Sequence, residues 1–342
     1  MIKNILATLL VFLIITSCFK KDEMIPAHEP GDLTTVVIPM TKYYSNQVYF
    51  NLERNEMTGI NDREVFDLNF DCTDTSTIIR LNTANFARAG VTNFENLEDV
   101  MDTTGLNWLF DGSSGNIDSL AIDGWINIVG DDTTYSNKIF VINRGFSSLG
   151  IQLGLIKVKF TQLKSNKYYF TYSNMDNSGL VAAVVEKNNL HLYTQYSFVS
   201  GIAEQIEPLE TDWDLLFTTY TTMLYTTEGD AYPYLVNGVL QKYNKANVAF
   251  DTTLMFNDIT IADTALLDFS YSFDKIGYNW KKLIGDVNTG NVSYEINVNY
   301  NYIVKDRNSF YYKLRFVNFY KIISTDPLIV EKGYPTFEYQ LL

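Results

Sequence analysis

Residues 302–316, YIVKDRNSFYYKLRF, contain the pattern that decides the fold. In the second half of the stretch, Tyr312, Leu314 and Phe316 alternate with charged residues, while the first half is rich in aromatic and β-branched residues. A period of two places successive side chains on opposite faces of a β-strand. The polar residues 306–309 between the halves favour a turn. The stretch therefore predicts two antiparallel strands joined by a turn.

The same pattern recurs along most of the chain, which holds 24 Tyr and 22 Phe. Glycine, asparagine and aspartate separate the runs, as expected of strands joined by turns. Helix-like stretches are few, and ENLEDVMDT (95–103) is the best short candidate. We therefore predict an all-β protein. Further alternating runs are VYFNL (48–52), KIFVI (138–142), LIKVKF (155–160), KYYFTY (167–172), HLYTQYSF (191–198), YEINVNYNYIV (294–304) and FEYQ (337–340).

The chain contains a long internal repeat. Tyr49 and Phe66 are 17 residues apart, and so are Tyr196 and Trp213, which indicates that the two segments align without a gap. A repeat of this length indicates a duplicated structural unit. The two copies are YFNLERNEMTGINDREVFDLNF (49–70) and YSFVSGIAEQIEPLETDWDLLF (196–217), and their late strands contain KVKF (157–160) and KLRF (313–316).

From the repeat we predict two tandem antiparallel β-sandwich-like domains, residues 34–180 and 187–342, each with its own core. Phe66 and Trp213 should occupy equivalent buried positions. The aspartate that follows each of them recurs in both copies, which favours a local structural role such as capping a turn.

The first residues predict a lipoprotein signal peptide, residues 1–17. The basic Lys3 precedes ILATLLVFLII (5–15), an apolar run shorter than the roughly 20 residues of a membrane-spanning helix. The following ITSC has the bacterial pattern in which Cys18 is acylated and becomes the first mature residue. The alternative is an ordinary secretory signal with an incidental Cys18. Residues 18–33 would then form a lipidated tether, held stably because the modification adds more than one acyl chain.

The tether also contains KKDE (20–23), which resembles the signal that sends lipoproteins of Bacteroidetes-type bacteria to the cell surface. Four charged residues also suit any solvated tether. The sequence therefore predicts a protein anchored in outer-membrane lipid through Cys18 and exposed at the cell surface, with no later membrane-spanning stretch.

Composition and charge exclude several function classes. The formal charge of −14 argues against nucleic-acid binding, because no basic stripe exists to neutralise phosphates. With Cys18 acylated, Cys72 has no partner for an intramolecular disulfide. The two histidines do not assemble a catalytic set, so neither an enzyme nor a metal site is expected. The oxygen-rich FDGSSGNID (110–118) suits a cation loop, but its glycine and serine content favours a turn.

The repeat, the WDLLF strand and the late hairpin together resemble the HmuY family of haem-binding bacterial surface lipoproteins, in its longer, tandem-type form. The resemblance covers about residues 34–342. It implies an antiparallel β-sandwich-like fold, haem as the cargo and an outer-membrane transporter as a partner. It is carried most clearly by YPYLVNGVLQKYNKANVAFDTT (232–253), FDKIGYNWKKL (273–283), NYIVKDRNSFYYKLRFVNFY (301–320) and EKGYPTFEYQLL (331–342).

The haem ligands of the family do not carry over. Relatives that hold haem through two histidines present them on loops late in the domain, whereas His28 lies in the tether and His191 on the first strand of the second repeat. Thioether and phenolate are alternatives to imidazole as axial ligands. The resemblance implies that some relatives use methionine, which leaves Met223 and Met255 as candidates, although a buried methionine is more often a core residue.

Two function classes follow. The first is a surface protein that captures a hydrophobic or aromatic ligand, haem being the implied cargo, without ligation by two histidines and without catalysis. The second is a structural or adhesive surface module that binds protein or glycan. The missing histidines favour the second class, and the abundance of tyrosine and phenylalanine favours the first. A lipid-anchored enzyme is a distant third.

Overall fold

The computed structural model describes residues 30–242, 246–286, 289 and 291–342. These residues form an all-β protein, which confirms the predicted fold class. Short 3₁₀ helices lie between the strands, and no helix in the described part of the chain is long and apolar enough to span a membrane. The 3₁₀ helices are Thr83–Asn85, Leu97–Asp99, Ile117–Ser119, Glu210–Asp212, Phe256–Asp258 and Ile261–Leu266.

The strands are numbered in chain order. The first twelve are β1 Thr34–Val37, β2 Asn46–Asn51, β3 Glu56–Asp62, β4 Leu68–Asp71, β5 Ile79–Leu81, β6 Arg88–Val91, β7 Ile126–Val129, β8 Asp132–Tyr135, β9 Ile139–Asn143, β10 Leu155–Lys164, β11 Lys167–Asn174 and β12 Val181–Glu186. The others are β13 Tyr193–Ser197, β14 Ile202–Glu204, β15 Leu215–Tyr225, β16 Ala231–Gln241, β17 Asn247–Asp251, β18 Phe269–Ser270, β19 Lys281–Asp286, β20 Asn291–Ile296, β21 Asn301–Lys305, β22 Tyr311–Thr325 and β23 Leu328–Leu341.

Strands β21 and β22 form the antiparallel hairpin that the sequence predicts. The turn is closed by the Phe310 amide, which donates to Asp306 Oδ1 at 2.8 Å. The alternating residues Tyr312, Leu314 and Phe316 are all buried in one hydrophobic core. Local periodicity therefore determines both the hairpin and the face that it buries.

The sheets come in two matching sets. The four-stranded order β14-β13-β4-β5 corresponds to β3-β2-β15-β16, and the order β12-β11-β10-β9-β6 corresponds to β1-β23-β22-β21-β17, which continues to β18. The two-stranded hairpin β7–β8 likewise corresponds to β19–β20. Strands β1 to β3 therefore occupy, in the second set, the places that β12 to β14 occupy in the first.

This pairing corrects the predicted boundaries, residues 34–180 and 187–342. Strand β1 pairs with β23 and strand β2 with β15, so the start of the chain completes the sheets of its last third. Two separate hydrophobic cores follow this division. We call residues 66–204 the first lobe, and residues 30–62 with 213–342 the second lobe. The period-two pattern could not reveal the division, because it specifies the buried face of a strand and not its partner.

The two copies also align one residue away from the predicted alignment. Phe50 pairs with Leu215 as Tyr196 pairs with Leu68, so Phe50, rather than Tyr49, is equivalent to Tyr196. Phe50 and Tyr196 are each 1% exposed in their cores. A shift by one residue moves a strand side chain to the other face, and Tyr49 accordingly lies outside the core of its lobe.

The recurring aspartates fix equivalent strands in the two lobes. The Phe198 amide donates to Asp67 Oδ2 at 2.7 Å, and the Leu52 amide donates to Asp214 Oδ2 at 2.9 Å. Asp67 also forms an ion pair with Arg144 at 2.7 Å. Each aspartate therefore satisfies a buried backbone donor beyond the end of a neighbouring strand. The residues before them, Phe66 and Trp213, are both 5% exposed.

Candidate ligand-binding cleft

A cleft of about 930 Å³ opens on the second lobe. Strands β15, β16, β17, β19, β20 and β21 contribute to its walls. Its volume lies in the range of about 300–1,000 Å³ that is typical of small-molecule sites. Eight aromatic residues line it: Tyr44, Tyr232, Tyr234, Phe250, Tyr278, Tyr294, Tyr300 and Tyr302.

Strand β16 shows how the sequence builds an aromatic wall. Tyr232, Tyr234 and Val236 are two residues apart, share one face of the strand and all line the cleft. The rings of Tyr232 and Tyr234 meet edge to face with their centroids 6.3 Å apart. Tyr234 is 51% exposed. Aromatic surface left exposed and clustered in this way is typical of a binding surface.

The tyrosines that lie deeper in the cleft keep their protons at neutral pH. Burial raises the pKa of Tyr44, Tyr278, Tyr294 and Tyr302 above the ordinary value of a phenol. These side chains can stack on a ligand and form hydrogen bonds, but they do not present a phenolate at neutral pH.

Lys281, the first residue of β19, also lines the cleft. Its Nζ donates to the Asn237 carbonyl oxygen at 2.7 Å and lies 4.1 Å from the ring centroid of Trp280 and 4.9 Å from that of Phe319. The residue is 7% exposed, and burial lowers the pKa of its amine well below the usual value. It is therefore a buried amine whose neighbours are mainly aromatic faces.

The cleft is positive although the protein is acidic. Lys275 and Lys282 line it with one carboxylate, that of Asp274, which gives 2 − 1 = +1 against a formal charge of −14 for the whole chain, and Lys281 adds a positive charge when its amine is protonated. Asp274 accepts hydrogen bonds from two serines, and Lys282 pairs with Glu295 at 3.0 Å on the exposed side of the hairpin. The cleft can therefore attract an anionic ligand.

The two predicted methionine ligands lie away from this cleft. Met223 in β15 is 45% exposed, and its neighbour Leu224, not Met223 itself, lines the cleft. Met255 precedes a 3₁₀ helix and is 75% exposed. His191 lies outside the cleft as well, with its Nδ1 3.0 Å from the carbonyl oxygen of Pro208.

The remaining sequence candidates have other positions. The signal peptide, Cys18 and His28 lie outside the described residues. Asp111, in the segment that also suited a cation loop, accepts hydrogen bonds from the amides of Leu81 and Ala121. Among the described residues, no group of three or more His, Cys, Asp or Glu side chains is placed to hold a metal ion.

A smaller cavity of about 110 Å³ lies between the two lobes. Its lining includes Glu207, which accepts hydrogen bonds from the amides of Leu192 and Tyr193 and from Nε1 of Trp213. Burial raises the pKa of the Glu207 carboxyl to about 8. It is far smaller than the cleft of about 930 Å³, so it suits a structural junction rather than a large ligand.

The HmuY protein family model matches residues 43–339. The chain belongs to the HmuY family. No curated protein matches it.

Three solved structures similar to this HmuY-family chain have low identity to it. One is the apo HmuY analogue of Tannerella forsythia, with 11% identity, 92% of this chain and 97% of that chain covered, and a TM-score of 0.25. A second, provisionally described as a Bacteroides fragilis lipoprotein, has 14% identity, 53% and 91% coverage and a TM-score of 0.22. A third, provisionally described as an HmuY-like haem-binding protein of Bacteroides vulgatus, has 14% identity, 53% and 94% coverage and a TM-score of 0.18.

Sequence reasoning missed the residues that line the cleft of this HmuY-family chain. The tyrosines of β16 and β20 lie in alternating runs that predict strands, and such runs do not distinguish a face turned to a core from one turned to a cleft. The available signal was the spacing of Tyr232 and Tyr234 on one strand face, next to a proline that keeps the run from being an ordinary core strand.

Proposed function

We propose that this HmuY-family protein is a surface-anchored lipoprotein that captures a planar aromatic ligand in the cleft of its second lobe, without catalysis. The wall of exposed tyrosines around the 930 Å³ cleft is the observation that carries the proposal. Haem is the cargo that the family implies, and an outer-membrane transporter is the partner that would receive it.

The donor chemistry of the cleft suits the ring of haem better than its iron. Aromatic rings on several strands offer faces and edges for stacking. In the described lining there is no histidine, methionine or cysteine, and the deeper tyrosines stay protonated. Imidazole, thioether, thiolate and phenolate are the usual protein ligands of haem iron. Binding should therefore depend on the porphyrin ring, and ligation by two histidines is not expected.

The test is titration of the purified protein with haemin and with metal-free protoporphyrin IX, followed by absorbance and porphyrin fluorescence. Both should bind near one equivalent. Tyr234→Ala should weaken both by roughly 3- to 10-fold, because an aromatic contact contributes about 0.5–1.5 kcal/mol. His191→Ala should change neither affinity.

Tyr225→Ala is the matched control. Tyr225 is an exposed strand tyrosine, 69% exposed, and it does not line the cleft. The Tyr225→Ala protein should bind both porphyrins with the affinity of the wild type. Equal losses in the Tyr225 and Tyr234 variants would show that the cleft is not the site.

We also propose that the protein is attached to outer-membrane lipid through acylated Cys18. Cys18→Ala should leave the chain unacylated, because the thiol is the atom to which the lipid is joined. In detergent phase separation of cell extracts, the Cys18→Ala variant should then partition into the aqueous phase, whereas the wild type should partition into the detergent phase. Equal partitioning of the variant and the wild type would contradict the anchor.

A second candidate function is adhesion to protein or glycan. A groove of about 440 Å³ adjoins the cleft, shares Tyr44 and Tyr234 with it and adds the exposed rings of Tyr43 and Phe146. An aromatic surface that extends across both lobes suits a longer ligand than one porphyrin. Failure of both porphyrins to bind would favour this function.

A further inference from the structure

The two lobes differ in chemistry at one equivalent position. Trp125 and Trp280 each precede the first strand of a two-stranded hairpin and contact equivalent core rings, those of Phe160 and Phe316. The residue that follows is Ile126 in the first lobe and Lys281 in the second. Ile126 packs against the hydrophobic core of its lobe. The fold therefore accommodates an apolar residue here, and a lysine is not required for the hairpin.

The lysine leaves hydrogen-bond donors without acceptors. An ammonium group has three donors, and in the described part of the chain the Lys281 Nζ makes one hydrogen bond, to the Asn237 carbonyl oxygen. The Nε1 of Trp280 is buried and likewise has no acceptor among the described residues. A buried cation without an anion is costly. What this site lacks is an anionic acceptor.

We propose that Lys281 is the subsite for a carboxylate of the ligand, so that the cleft selects anionic aromatic molecules over their neutral analogues. The inference rests on the proposed function and names the class of ligand within it. The carboxylate would enter beside the aromatic wall and accept hydrogen bonds from Nζ, while the ring stacks on the tyrosines.

The groups around the Lys281 amine determine how its protonation changes when a ligand binds. Tyr294 on β20 has its ring centroid 5.7 Å from Nζ and keeps its proton. Asn237 on β16 and Phe319 on β22 carry no charge. Farther along the cleft, Lys275 and Lys282 are positive and the Asp274 carboxylate is held by serines. An arriving carboxylate favours the ammonium form, so the amine should take up a proton from solvent as the ligand binds.

The experiment compares protoporphyrin IX with its dimethyl ester, which has the same ring without the two carboxylates. The wild-type protein should bind the free acid at least about 10-fold more tightly, in line with charge-assisted hydrogen bonds in a buried site. Calorimetry in two buffers of different ionisation enthalpy should detect uptake of up to one proton per free acid bound, and none for the ester.

Lys281→Met should bind both porphyrins within about 2-fold of each other and should lose the proton uptake. Lys167→Met is the matched control, because that lysine is also the first residue of a strand but lies in the first lobe outside the cleft, where it pairs with Glu186 at 3.1 Å, and the variant should retain the preference. Equal wild-type affinities for the acid and the ester, or a preference that survives in Lys281→Met, would overturn the subsite and leave ring capture intact. Failure of both porphyrins to bind would refute the capture function and the subsite together.

Discussion

Burial of the Lys281 amine lowers the stability of the ligand-free protein, and ligand binding should offset this loss. Its amine is 7% exposed, and its contacts are a backbone carbonyl and aromatic rings. Interactions between a cation and ring faces return about 2 kcal/mol or more when they are desolvated, but they do not replace a counter-ion. A residue that destabilises the free state and lines a cleft is typical of a binding site.

Lys281→Met should therefore raise the free energy of unfolding at pH 7 by about 1–3 kcal/mol. The lowered pKa means that the Lys281 amine binds fewer protons in the native state than in the unfolded state between its lowered native pKa and about 10.5. The contribution of Lys281 to stability should accordingly become less unfavourable as pH rises towards that value, so the stability difference between the methionine variant and the wild type should shrink from pH 7 to pH 10. Urea unfolding at pH 7 and pH 10 measures both effects. Lys167→Met, at the exposed pair with Glu186, should change stability by less than about 0.5 kcal/mol, and a Lys281→Met protein less stable than wild type at pH 7 would contradict the argument.

At the scale of single strands and hairpins, the sequence was sufficient. The alternation of Tyr312, Leu314 and Phe316 predicted a strand, its buried face and its hairpin partner, because neighbours along the chain pair across a short turn. The pairing of Phe50 with Leu215 could not be predicted in the same way, since many strands offer equally apolar faces. Even the repeat gave the register of the copies only to within one residue.

The cleft could not be predicted from the sequences of single strands, because it depends on how several strands are arranged in space. Tyr232 and Tyr234 face open space only because β19, β20 and β21 surround them without covering them. Lys281 was hidden because a lysine at the start of a strand is usually solvated. Lys281 stands out only when it is compared with Ile126, the equivalent residue of the first lobe. That comparison requires the correct alignment of the two hairpins.

At the scale of the molecule, the corrected division predicts which piece can fold alone. Residues 64–209 contain every strand of both sheets of the first lobe, together with Glu207, whereas residues 34–180 lack β12, β13 and β14. The first piece should show near-ultraviolet circular dichroism and a cooperative urea transition, because its hydrophobic core is complete. The second should show neither. A cooperative transition in residues 34–180, with none in 64–209, would restore the division at residues 180–187.

The pairing of β1 with β23 sets an order of events for a newly made chain. Thr34 pairs with Tyr339, a sequence separation of 339 − 34 = 305 residues, so β1 is made long before its partner strand. Contacts of such high sequence separation form slowly, because a long loop must close before they contribute. The middle of the chain can complete its core while both ends are still unpaired. The cleft, whose lining extends from Tyr44 to Tyr302, is therefore complete only after synthesis has passed residue 302.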